Sequence, residues 1–339
     1  MSSCPRPSAI TVEPGGGGAA GVGEEGEEGA AWRAVFGGLR LRVVLTVLVK
    51  TCTFCLVVLG LLAYQGAGPF QHGRGSDNVP FLACLRPARH YHLVLIPLYC
   101  GLLFAGFYAV AMVVVKVKGT GGRHRGVVPS SFLLVLVVSL SLNVGLLFAE
   151  DRRNASASLA LSLLLSLSNS VALCFLAVSF WSSAKTIYRE SIADFWLNVA
   201  VLNIMATYVA WSLIQFIISL GVFLTLEKKM NEHDVCSGEL IVFIVLLLAW
   251  SLFENSALSH CCNTIIMHYL VLMYFLVMVI ARQSGSPDQM LQILSISSLV
   301  VTLLLLAVRL AFLVRMNRGS NLCGSRTQET PQLEESPAP

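Results

Sequence analysis

The chain has 339 residues, of which 55% are hydrophobic and 12% charged, with a formal net charge of +4. A water-soluble chain of this length has no surface on which to carry so much apolar mass, and no polar stretch is long enough for a soluble catalytic domain. The small, scattered charge gives no footprint for nucleic acid, so the first partner implied is a lipid bilayer.

Residues 1–41 include PGGGGAAGVGEEGEEGAA, a glycine and glutamate tract with almost nothing to bury, and a disordered tail is expected there. The first apolar run, Val43 to Ala63, has spanning length and is read as a signal anchor rather than a cleaved signal peptide. Apolar runs near the ~20 residues that cross ~30 Å of hydrocarbon then recur along the chain. The expected fold is an all-α membrane protein, a polytopic bundle over residues 42–315. Its eight helices are expected near 43–65, 92–115, 131–149, 158–180, 196–224, 240–258, 264–281 and 290–314. Residues 316–339, ending GSRTQETPQLEESPAP, are expected to be a second disordered tail. No internal repeat relates the two halves.

In the first helix Cys52-Thr-Phe-Cys55 has the spacing of a metal pair, but it lies in a lipid-spanning segment without a second pair. No metal or cofactor is expected. In the fourth helix Ser158, Ser162, Ser166 and Ser170 recur every four residues and continue to Cys174, forming one slowly drifting stripe. Small residues so placed favour close helix packing; a hydroxyl-lined pathway is the functional alternative. The fifth helix carries Asn203, Tyr208 and Trp211, which share a side of the helix and are candidates to line a cavity; bonding between helices is the plainer reading. Trp196 belongs to an interfacial aromatic belt.

Eight spans put both termini on one side. The surplus of lysine and arginine, including Arg40, Arg42, Lys116, Lys118, Arg123 and Arg125, makes that side the cytosol. The membrane would then be the plasma membrane or one of the secretory pathway. Asn154-Ala155-Ser156, a glycosylation sequon, falls outside in a short loop. Cys84 and Cys236 fall outside too, where they could form a disulfide or remain free. Cys261 and Cys262, beside a cytosolic membrane edge, are candidate palmitoylation sites.

Four ionisable residues stand inside spans: Lys50, Glu254, His268 and Arg309. Each costs roughly 2.5–3.5 kcal/mol at the bilayer centre, and all four fall in the inner half of the membrane. Their common depth suggests a polar cluster in which Glu254 pairs with Lys50 or Arg309 and His268 lies near enough to exchange a proton. Alternatively the long side chains snorkel to the interface and Glu254 marks a helix end.

Asn203-Ile-Met-Ala-Thr-Tyr208-Val-Ala-Trp211, then Trp250-Ser-Leu-Phe-Glu254-Asn255 and Tyr269, resembles a family of multi-pass animal membrane proteins to which no activity is assigned. The resemblance covers roughly residues 190–315. The same stretch looks faintly like the tryptophan-rich sensory (TspO) family of small apolar-ligand binders, whose chains have five spans and denser tryptophan. This chain departs from that family on both counts.

No nucleophile elbow, phosphate loop or paired-carboxylate motif is present, and an enzyme is not expected. The expected function is binding or transport of a small solute or lipid through the inner-half polar site. A receptor or adaptor without transport is the alternative, and the oligomeric state is not legible.

Overall fold

The structure, a computed structural model, describes residues 24–65, 67–70, 98–105, 107–108, 128–256, 265–283 and 289–324. All regular structure among them is helical. Helix α1 is Glu24–Gln65 and α2 contributes residues 98–105 and 107–108. There follow α3 (Ser130–Asp151), α4 (Ala155–Glu190), α5 (Ile192–Leu226), α6 (Glu232–Ser256), α7 (Met267–Gln283) and α8 (Gln289–Gly324). The protein is a multi-pass α-helical membrane bundle. Six of the described helices are long and apolar enough to cross a bilayer, while α7, with 17 residues, is shorter. Of the eight expected spans, six are full-length apolar helices among the described residues; α7 is shorter, and the second is described only over residues 98–105 and 107–108.

Both expected tails are shorter than the sequence suggested. Helix α1 begins at Glu24 instead of near residue 42, and α8 continues to Gly324. Residues Met1–Arg40 and Leu41–Pro339 separate into two units, and the helix-to-helix contacts lie in the second.

Short turns set the antiparallel order. Helix α3 ends in a Schellman motif, with Asn154 N–H donating to Ala149 O and Arg153 N–H to Glu150 O. Arg153 takes the left-handed conformation at φ 56° that this motif requires. Asn154 then caps α4, its Oδ1 accepting from Ala157 N–H. Ser191 closes α4 and opens α5 in the same way, its Oγ accepting from Asp194 N–H.

The helices pack in a chain of neighbours. Arg42 Nε donates to Ser130 Oγ, joining α1 to α3; α3 packs on α4 and α4 on α5. Helix α5 also meets α6 and α7, and both of these meet α8. Asn198 Nδ2 donates to Tyr108 OH at 2.8 Å, holding α2 against α5. The serine stripe follows the packing reading along its first half: Ser158, Ser162 and Ser166 are buried, and Ser158 Oγ bonds Ser219 Oγ of α5. Leucine, valine and isoleucine cover the outer faces, as at Val245, Leu248 and Leu252 of α6, which suits lipid and not water.

Candidate functional site

The last turns of α6 send Ser251 and Glu254 inward, at helical spacing of three, while Leu252 and Phe253 face out. Glu254 is 1% exposed and sits between α7 and α8. Arg309 Nη2 of α8 lies 3.0 Å from its Oε1, and Tyr269 OH of α7 donates to its Oε2 at 3.2 Å. His268 Nε2 lies 3.5 Å from the same Oε2. Arg309 also donates from Nη1 to Asn255 Oδ1, and Asn255 Nδ2 is fixed by Ser251 O. Three helices thus converge on one carboxylate.

Arg309 does not snorkel. It is 2% exposed, and its guanidinium is turned toward Glu254. Removing two charges from water is costly unless they meet with good geometry and their remaining polar atoms find partners; Tyr269 and Asn255 supply such partners.

Of the four ionisable residues expected to gather, three do. Lys50 does not join them: its Nζ stands 4.1 Å from the centre of the Phe107 ring, between α1 and α2. The physical reason is packing order, since α1 neighbours α3 whereas the cluster belongs to α6, α7 and α8. Common depth was a correct guide to three residues and a misleading one for the fourth.

A cavity of about 280 Å³ borders the cluster. Its floor is Ala206, Val209 and Ala210 of α5 with Leu272 of α7, and its walls include Ser166 and Ser170 of α4 and Trp250 and Phe253 of α6. Ala249 and Phe253 are exposed on the rim, so the cavity is a groove open toward the lipid-facing side between α4 and α6. His268 lines it and is 4% exposed. Nδ1 of that ring is buried with no hydrogen-bond partner among the described residues.

The expected cavity residues Asn203, Tyr208 and Trp211 do not line this groove. Asn203 Oδ1 accepts the backbone N–H groups of Ile266 and Met267, at 3.0 and 3.2 Å, and so caps the start of α7 from a neighbouring helix. Tyr208 OH accepts from Asn143 Nδ2 of α3 at 2.9 Å, and Trp211 is buried at 4%. Residues spaced on one side of a helix share an angle but not a depth, and they reach different neighbours.

Sequence reasoning missed two arrangements. Near the middle of the spans, Ser139 Oγ donates to Asn169 Oδ1, and these two residues with Asn143 and Tyr208 form a buried neutral knot joining α3, α4 and α5. Lone asparagines within the apolar runs of α3 and α4 were the available signal. Glu239 of α6, 2% exposed, lies against Gly221 of α5, where an added Cβ would collide with the Glu239 carboxylate. A span drawn from Leu240 leaves that residue just outside.

Cys236 is disulfide-bonded; its partner and Cys84 both lie outside the described residues. Cys52, Cys55, Cys100 and Cys174 are free thiols. Asn154 is exposed at the α3–α4 turn. Cys261 and Cys262 lie outside the described residues.

No family model, curated protein or solved structure matches the chain.

Proposed function

We propose that this membrane protein binds a small apolar molecule or lipid chain, which enters the α4–α6 groove sideways from the bilayer. The groove itself supports this reading: a largely apolar cavity of about 280 Å³ with a single buried imidazole in its wall. Its size is near the lower end of the roughly 300–1,000 Å³ common for small-ligand sites, and the mix of apolar lining and few polar groups is characteristic of them. A polar solute would find little here besides Ser166, Ser170 and His268. Transport is a further step that the same groove would serve by exchanging its occupant; catalysis forms no part of the proposal.

The disulfide at Cys236 supports an orientation, because disulfides persist on the oxidising side of a membrane. Cys236 is near the start of α6, on the side that holds Asn154 and Glu227, whose carboxylate accepts from Ser156 Oγ. The Glu254 cluster, at the far end of α6, then lies in the cytosolic half, as do the start of the first span and the end of α8.

The test is photolabelling of the purified protein in nanodiscs with a diazirine-bearing hexadecyl probe. Saturable labelling that disappears in Ala249→Trp, which fills the groove from its exposed rim, is the expected result. Equal labelling of both folded proteins would contradict the proposal.

A further inference from the structure

The groove and the charged cluster share one residue. The His268 ring lines the groove, and its Nε2 lies 3.5 Å from Glu254 Oε2. Packing holds the ring: Trp250 meets it edge-on with ring centres 6.3 Å apart, and Tyr269 lies against it at 4.0 Å. The titratable and charged groups around it among the described residues are Glu254 from α6, Tyr269 from α7 and Arg309 from α8, the last reaching the other oxygen of Glu254 at 3.0 Å. On the groove side α4 and α5 present residues such as Ser166, Ser170, Ala206 and Val209, none of which titrates. With a neutral imidazole, Glu254 and Arg309 cancel and the wall carries no net charge. A proton on the imidazole leaves two cations facing one carboxylate, and the wall becomes positive.

We infer that His268 links the groove to protons: the neutral imidazole admits the apolar molecule, and protonation of the imidazole expels it. Imidazole is the side chain whose charge ordinarily changes near neutral pH. An unbalanced charge beside a cavity is stabilised by the water or dipoles that the cavity admits, and hydrocarbon in their place removes that stabilisation. An apolar occupant and the proton therefore oppose one another, whichever ring nitrogen takes the proton. The opposition is reciprocal, so filling the groove also releases the proton. This rests on the binding proposal above and adds its regulation.

The experiment is photolabelling in phosphatidylcholine nanodiscs with the diazirine-hexadecyl probe, which carries no titratable group, at the two ends of the range from pH 5 to 8 in which imidazole changes charge. In the wild-type protein the half-saturating probe concentration is expected to be at least about fivefold higher at the acid end, the lower bound of a typical coupling between sites. In His268→Gln, polar but uncharged, it should be the same at both ends. Probe added in the dark to wild-type protein in weak buffer, midway through that range, should release protons, and the same addition to His268→Gln should release none. The wild-type measurements stand whether or not the variant folds. Equal half-saturation at both ends in the wild-type protein, with labelling still lost in Ala249→Trp, would overturn the proton linkage and leave apolar binding intact. Tighter labelling at the acid end, or pH dependence retained in His268→Gln, would overturn the linkage in the same way. Labelling unaffected by Ala249→Trp would overturn the binding proposal and this inference with it.

Discussion

Two buried polar regions lie in one bundle, and they differ in what surrounds them. The knot of Ser139, Asn143, Asn169 and Tyr208 is neutral, lies near mid-span and ties α3, α4 and α5 to one another. The cluster of Glu254, Arg309, His268 and Tyr269 is charged, lies toward one end of its helices and borders an apolar groove. Polar groups bonded across helices hold a membrane bundle together; polar groups that also border an open cavity are placed beside whatever enters it. Burial alone does not distinguish a site from a fastening.

The largest effect should come from separating the charged pair. Arg309→Met leaves Glu254 uncompensated, and reversible unfolding in mixed micelles should show a loss of about 3–5 kcal/mol; Glu254→Leu combined with it should recover most of that loss. Recovery would show that the pair balances its own charge and adds little net stability. Tyr208→Phe, in the neutral knot, should cost about 0.6–1.7 kcal/mol by the same measurement and leave probe labelling unchanged.

Asn203→Ala removes the acceptor for two N–H groups at the start of α7, for a loss of about 1 kcal/mol. Because His268, which lines the groove, is the second residue of that helix, hydrogen exchange should quicken there and saturable probe labelling should weaken. Lys50→Met, outside both regions, should cost about 0.5–1 kcal/mol from the lost contact with Phe107 and leave binding intact.

The all-α membrane fold and the positions of most helices were legible in the sequence, because a bilayer demands long apolar runs and little else. Glu254, His268 and Arg309 were legible for the complementary reason: a charge within such a run is costly and stands out. What the sequence hid was lateral order. Nothing in the run around Lys50 says that its helix lies beside α3 and not α8. Asn203 and Tyr208 read alike as polar residues on one helix, yet one caps α7 and the other bonds α3. The neutral knot went unseen because serine and asparagine interrupt an apolar run only mildly. The groove, a gap between α4 and α6, has no sequence signature at all. Helix ends were misjudged where hydropathy fades before the helix does, as from Glu24 to Leu41.

The most direct measurement is the position of the photolabel. Digestion of hexadecyl-probe-labelled wild-type protein, followed by mass spectrometry, should place saturable label on the groove-lining residues Ala249, Trp250 and Phe253 of α6 and Leu272 of α7. Label confined to the lipid-facing leucines of α6 and α8, such as Leu252 and Leu304, and not displaced by competitor would contradict the account.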